Sequence, residues 1–308
     1  MWKVKVLIQF ALSKIPMGEK INYLLQKAKG SHNVAIYKKR VLLLSKNLRQ
    51  IDQQQSLNKK IVVDIGTGWE AINPLLFYLF GVRTCYSYDH LPHVRFDLVQ
   101  LLLTVIDSQL TQIAQITHIP IVTLQERLEK LKNHSDVESL FTAANIVYIA
   151  PGDATKTGLN NASVDLVYSH SVLAHVSEEL IHSFTEEAKR ILKSKGMMYH
   201  CIWLQDNYTS IDKKLSKVNF LKYPEKLWAF FIYNDISYHN RLREKQYLDI
   251  FKSHQGEIAW IEHLVDQKDV KLLKTMKIDE KFLDMTAEEL AVYNSKILIY
   301  FPKNTLTT

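Results

Sequence analysis

The residues best placed to do chemistry are acids that close short apolar runs and histidines that follow one such run. Ile61-Val62-Val63 leads into Asp64, then Ile65, then two glycines in Gly66-Thr67-Gly68, with Trp69 and Glu70 next. Glycine lets a backbone turn tightly and lets a ligand come close. A third glycine of the dinucleotide pattern is absent, because Glu70 stands there. Asp89 follows Asp64 by 25 positions and has His90 beside it. One carboxylate at a second strand end accepts from both hydroxyls of a ribose. Asp153 sits in Gly152-Asp153-Ala154, just past a third apolar run. Ser169 and His170 follow a fourth run, with His175 a few residues on and His200 in a fifth. A neutral imidazole titrates near ~6.5 and suits a general base. His170 is the leading candidate, His175 and His200 are alternatives, and the plain reading of each is a hydrogen-bonded structural histidine. A metal-assisted route would need His170, His200 and Asp206 to converge, and their spacing is no ligand signature.

These side chains need a sheet to hold them. The run at 61–65 reads as a buried parallel strand, with a helix opening over Trp69 to Phe80. Further strands are expected at 84–89, 145–150, 163–168 and 197–203. A helix is expected from Ser177 to Lys193, with Ser177, Glu178 and Glu179 at its start and Lys195-Gly196 closing it. Two more strands are expected at 257–265 and 296–302. Residues 91–143 are mostly helical and too long for an ordinary connection, so they read as an insertion. A second insertion, 204–245, is rich in aromatics and carries Arg241 and Arg243. Guanidinium forks suit phosphate or carboxylate, and aromatics stack on sugar faces. Residues 1–58 read as an N-terminal helical lid, ahead of a domain over 59–303. Within the lid, 2–28 form one or two amphipathic helices, with Asn22 to Lys27 resuming the pattern after Pro16 and Gly18.

The chain has 308 residues, a hydrophobic content of 47%, a net charge of +7 and two cysteines. That length buries a sizeable core. Mild basicity suits nucleic acid, anionic lipid or phosphorylated substrates, though many soluble proteins are as basic. The lysines are spread rather than gathered on one face, so no nucleic-acid partner is expected. Cys85 and Cys201 are too few for a disulfide framework and fit a reducing cytoplasm. No apolar run reaches the ~18 residues of a membrane span. The first twelve residues continue without a small-residue cleavage site and do not read as a signal peptide. A basic amphipathic stretch over 1–28 could instead touch a membrane surface peripherally.

The order of these pieces resembles the class I S-adenosylmethionine-dependent methyltransferases. Val62-Val63-Asp64-Ile65-Gly66-Thr67-Gly68 resembles the glycine motif that cradles the cofactor's aminoacyl end. Asp89 matches the acid that holds the ribose, and Gly152-Asp153-Ala154 the loop whose acid reaches the adenine amine. Asp165-Leu166-Val167-Tyr168-Ser169 matches the fourth-strand motif facing the methyl donor. Glu187 to Met197 is similar to the family's helix-to-strand motif, with Ser194-Lys195 in place of Pro-Gly. The resemblance covers about residues 59–203 plus the terminal hairpin. It implies an α/β fold with a doubly wound, mostly parallel seven-stranded sheet, and S-adenosylmethionine as cofactor. Thr67 to Glu70, Ser169 to Val176, and Asn240-Arg241-Leu242-Arg243 with Tyr247-Leu248 are similar to a branch found in bacterial polysaccharide gene clusters. That branch usually carries an acid where Ala174 stands.

The resemblance implies O-methylation of a sugar, glycan or lipid-linked glycan, in the cytoplasm or at the inner face of its membrane. Trp69, Arg241 and Arg243 would contact the acceptor. A small aromatic or lipid-like metabolite, RNA, or a non-catalytic cofactor-binding role are the alternatives. A sugar hydroxyl is a poor nucleophile, so a base is expected to take its proton.

Overall fold

The computed structural model describes residues 2–15, 21, 32–234 and 236–302. The helical stretch expected at 22–27 lies outside the described residues. Along the chain run α1 (Trp2–Leu12), α2 (Val34–Gln54), β1 (Ile61–Ile65), α3 (Ile72–Leu79), β2 (Thr84–Tyr88), α4 (Phe96–Thr117), α5 (Ile121–Glu129), α6 (Val137–Ala143), β3 (Ile146–Ile149) and β4 (Val164–His170). There follow α7 (Glu178–Ile191), β5 (Leu192–Trp203), α8 (Glu225–Ile232), α9 (Glu244–Ser253), β6 (Glu257–Val265), α10 (Gln267–Leu273), α11 (Ala287–Leu290) and β7 (Val292–Tyr300). Among the described residues the strands form one seven-stranded sheet in the order β3-β2-β1-β4-β5-β7-β6. The order reverses direction at β1, the switch point where α/β sheets leave a crevice for a ligand. β1, β2 and β3 pair in parallel, and β6 with β7 antiparallel. This seven-stranded mixed sheet is the Rossmann-like arrangement that the resemblance implies.

Contacts divide the chain into two compact units, each taken over its described residues. One holds residues 29–168 and 190–197, the other 1–28, 169–189 and 198–308. The expected lid is thereby divided, with α2 in the first unit and α1 in the second.

In the first unit, β1 is buried along nearly its whole length because Val62, Val63 and Ile65 are apolar on both faces. Its register with β2 sets Asp64 opposite Ser87 and Ile65 opposite Tyr88, and β3 sets Ile149 opposite Tyr88. The carboxyl tips of β1, β2 and β3 therefore end level. The loops at Gly66, Asp89 and Ala150 leave together, stitched by Gly66 N–H to the Tyr88 carbonyl at 2.8 Å and Gly152 N–H to the Asp89 carbonyl at 2.8 Å. α3 begins at Ile72, later than Trp69, because Ala71 takes a left-handed φ of 52° that no helix continues through. The helix-to-strand boundary also differs from expectation. α7 ends at Ile191 and β5 starts at Leu192, so Ser194, Lys195 and Gly196 belong to the strand. The last carbonyls of α7, at Arg190 and Ile191, accept from the N–H groups of Ala162 and Ser163, which removes the need for a glycine stop. Asp165 ties the strand bases together. It accepts from Ile61 N–H at 2.9 Å and from Lys193 Nζ at 2.8 Å.

In the second unit the insertion shares an aromatic core with later segments of the chain. Phe220, Trp228, Ile232, Phe282, Leu290 and Tyr208 pack together there. Ser177 begins α7 as expected, its hydroxyl accepting from Leu180 N–H at 3.3 Å.

Candidate active site

In the first unit, Asp64 is fully buried and its Oδ2 accepts from the Ser87 hydroxyl at 2.8 Å. The Ser87 oxygen lies 2.7 Å from Thr67 Oγ1. This chain of three polar side chains joins the strand to the glycine turn. Burial, with the Asp89 charge adding to it, lifts the Asp64 carboxyl to about 7. Desolvation disfavours the charged form. Gly66 and Gly68 take φ of 81° and 71°, the left-handed region that favours glycine. A Cβ on Gly68 would meet nothing within 4 Å, so open space lies beside it. At Gly152 a Cβ would come within 2.5 Å of the Ile149 carbonyl oxygen, so only glycine fits that turn.

Asp89 is buried at the tip of β2. Its Oδ2 accepts from Gly68 N–H at 3.0 Å, and its Oδ1 lies 3.1 Å from Nδ1 of both His90 and His93. These three donors hold its carboxyl well below the usual range, against the cost of burial. A carboxylate offers about four lone-pair positions, so one remains for a ribose hydroxyl. His90 is largely exposed, so its contact to Asp89 is open to solvent. Asp153 takes both the N–H and the hydroxyl of Thr155 on Oδ1, at 2.8 and 2.6 Å, which orients the loop with Ala154 beside it. Glu70 replaces the missing glycine and, itself buried, forms an ion pair with the partly exposed Arg40 of α2. Trp69 stacks on His93 at 5.2 Å, with His32 6.1 Å away, so its ring belongs to an aromatic cluster beside the turn. The open space at Gly68, the unpartnered buried Oδ1 of Asp64 and the acid at Asp89 fit a nucleoside with a charged tail.

The second unit sorts the remaining candidates. His200 is fully buried between Phe184 and Phe251, at 5.6 and 5.3 Å, and burial pushes it down to about 3. Its Nδ1 lies 2.7 Å from the Ser169 hydroxyl. That corrects two expectations: His200 and the Ser169 side chain are both fully buried and meet each other in the core. His170 ends β4, with Nδ1 3.0 Å from the Ser171 hydroxyl. Asp206 caps a short turn, accepting from Tyr208 N–H and Asn219 Nδ2, both at 2.9 Å. The trio His170, His200 and Asp206 is not gathered. Among the described residues the group with ligand-forming atoms within 4.8 Å of one another is Asp89, His90 and His93.

Arg241 and Arg243 also need correcting as acceptor contacts. Both are buried, and their planar forks are filled by the protein itself. Arg241 donates to the carbonyls of Phe220 and Tyr223 and pairs with Glu225. Arg243 donates to the carbonyls of Leu204, Leu290 and Val292. Arg241 ties segments of the insertion together and Arg243 fastens it to the start of β7, work that an ammonium could not do with one charge point.

His175 behaves differently. It lines a cavity of about 310 Å³ together with Lys5, Gln9, Asn207, Ser237 and His239. Its Nδ1 lies 2.9 Å from the Tyr238 carbonyl oxygen, an acceptor only, so Nδ1 carries the hydrogen and Nε2 the lone pair. Its surroundings hold its pKa below the ordinary imidazole value. His239 packs edge-on at 5.4 Å, and burial drives it well below its usual range. Sequence reasoning missed His93 and His239. The first had a signal, since Asp89-His90-Leu91-Pro92-His93 turns back on itself. The second stands alone among aromatics and had none.

Comparison with known proteins adds one domain match. Residues 107–200 match a family described as a methyltransferase domain. None of the curated proteins matches the chain. Solved structures similar to it include a Pyrococcus horikoshii protein, 14% identical over 87% of this chain and 92% of that one, with a TM-score of 0.46. A Streptomyces coelicolor geranyl diphosphate C-methyltransferase is 12% identical over 86% and 85%, with a TM-score of 0.43. A Haemonchus contortus phosphoethanolamine N-methyltransferase is 14% identical over 83% and 53%, with a TM-score of 0.44. The matched domain and the sheet order support S-adenosylmethionine-dependent methyl transfer.

Proposed function

We propose that the chain methylates a hydroxyl oxygen of a sugar or glycan, and that the cavity around His175 receives the acceptor. The supporting observation is His175, whose Nδ1 meets the Tyr238 carbonyl and which lines a cavity edged by amide, hydroxyl and lysine groups. Such groups pair with several hydroxyls at once, and Trp228 adds a ring for a sugar face. Bound S-adenosylmethionine supplies a methyl carbon activated by its sulfonium. Asp89 and Asp153 would hold its nucleoside, and the Gly66–Gly68 turn its charged tail. His175 Nε2 would accept the proton of the acceptor hydroxyl. General base catalysis is worth roughly 10²–10⁴-fold.

The test compares His175→Ala with His170→Ala, using nucleotide sugars as acceptors and demethylated cofactor as the readout. His175→Ala is expected to lose on the order of 10²-fold in kcat, with cofactor affinity by calorimetry unchanged. Loss at His170 and none at His175 would move the base to the strand tip. A second reading, a lipid-like metabolite, is favoured by an apolar groove of about 270 Å³ lined by Trp2, Val6, Tyr223, Trp228 and Phe231.

A further inference from the structure

α1 is apolar on two opposite faces. Val6, Gln9 and Leu12 are buried, and the Trp2 ring meets Tyr208 at 5.6 Å and Tyr223 at 5.7 Å. Phe10 meets Phe230 and Phe231 at 5.4 and 5.7 Å. The other face points to solvent: Val4 is 60% exposed, Leu7 55% and Ile8 44%, with Ile15 at 49% just beyond. At the ~100° per residue of a helix, Val4, Leu7, Ile8 and Ala11 fall on one stripe. α8 extends the patch with Phe230, 64% exposed, and Leu227, 45%. Among the described residues nothing covers it. Contiguous exposure of large apolar side chains marks an interaction surface.

The charge beside it indicates the occupant. Residues 2–15 contain Lys3, Lys5 and Lys14 and no acid. Lys3 and Lys14 lie over the Trp2 and Phe10 rings, at 6.0 and 5.5 Å, on the seam between the two faces. Lys222 and Lys226 are exposed at and before the start of α8. Glu225, the acid nearest them, is already paired with Arg241 and Lys281. Apolar stripe and cationic seam together match a bilayer surface, where acyl chains take the first and headgroup phosphates the second. A second copy of the chain would bring lysines against lysines.

We infer that α1 and α8 form one docking surface for an anionic lipid bilayer, lying in its interface without crossing it. No helix among the described residues is long and apolar enough to cross. Apolar contact and basic residues act as the two signals that stable peripheral binding requires.

The experiment is flotation of the full chain with vesicles of phosphatidylcholine alone or mixed with phosphatidylglycerol. Wild type is expected to float with the mixed vesicles, less so at high salt, and weakly with phosphatidylcholine alone. Leu7→Glu with Ile8→Glu should abolish flotation, and Lys3→Glu with Lys14→Glu should remove its salt-sensitive part. Circular dichroism, thermal midpoint and cofactor binding should stay as in wild type. If the glutamate variant fails to fold, Ile8→Cys carrying an environment-sensitive dye replaces it, since Cys85 and Cys201 are buried. Its emission should shift to the blue on mixed vesicles. The inference is overturned if wild type ignores both vesicles, if the glutamate variant floats equally, or if the dye does not respond. It is also overturned if sedimentation shows a dimer that the glutamate variant dissolves.

Discussion

Asp64 carries the most consequential charge in the molecule. Its carboxyl titrates at about 7 instead of the 3.8 of an unhindered aspartate. Between those values the folded chain holds a proton that the unfolded chain has lost, so this group makes stability fall as pH rises from about 4 to 7. At ~1.4 kcal/mol per unit the full effect is on the order of 4 kcal/mol above pH 7. Asp64→Asn should therefore raise the thermal midpoint at pH 8 and change it little at pH 5. A cationic cofactor tail nearby favours the ionised form. Calorimetry at pH 6.5 in buffers of different ionisation heat should show wild type releasing a proton on binding S-adenosylmethionine, and Asp64→Asn releasing none. At this scale the sequence was informative about the acids and silent about the arginines. Asp64 and Asp89 announce themselves by closing apolar runs. Arg241 and Arg243 look like surface recognition groups, because nothing local reveals that their partners are carbonyls from distant segments.

At the scale of elements, the ion pair between Arg40 and Glu70 joins α2 to the glycine turn. Arg40 is about two-fifths exposed and Glu70 nearly buried, so solvent screens one end only. Glu70→Ala should cost roughly 1–2 kcal/mol in urea unfolding, well short of the ~3–5 for a wholly buried pair. Cofactor affinity should drop severalfold, because the turn loses its brace. A cycle adding Arg40→Ala should show the two losses failing to add. Parallel strands were legible because β-branched runs bounded by glycine have few other uses. The start of β5 was not, since Ser194-Lys195-Gly196 has the composition of a helix stop. What decides it is pairing with Ala162 and Ser163, which no local pattern encodes.

For the molecule as a whole, two sets of groups set the acid limb of stability. His200 at about 3 and His239 well below its usual range stay neutral when folded, while an unfolded histidine gains a proton near 6.5. The unfolded state then binds more protons, and stability falls as pH drops from about 6.5. Asp165, held low by Ile61 N–H and Lys193, and Glu225 at about 2 add a second loss below pH 4, as they are protonated. Thermal midpoints across pH 3 to 7 should show both limbs. His200→Gln should flatten the upper one and leave the lower in place. Asp64 opposes the upper limb between pH 7 and 5, so that limb is read in the Asp64→Asn variant, where a midpoint level from pH 7 to 5 would contradict this account. The fold class was readable from five strand-end motifs in order. The cavity around His175 was not, because Lys5, Asn207 and Ser237 meet there from segments far apart in sequence.

The trio Thr67, Ser87 and Asp64 has a consequence for assembly. Strands slide past one another in steps of one residue, and each step turns every side chain to the opposite face. Were β2 to slip on β1 by one residue, Asp64 would stand opposite Tyr86 or Tyr88 and lose the Ser87 hydroxyl, and a buried carboxyl left without its hydrogen bond costs roughly 2–7 kcal/mol. The polar thread thus penalises the wrong alignment. Ser87→Ala with Thr67→Val should give a sheet whose β1 and β2 amides exchange their hydrogens faster, even where overall unfolding is no easier.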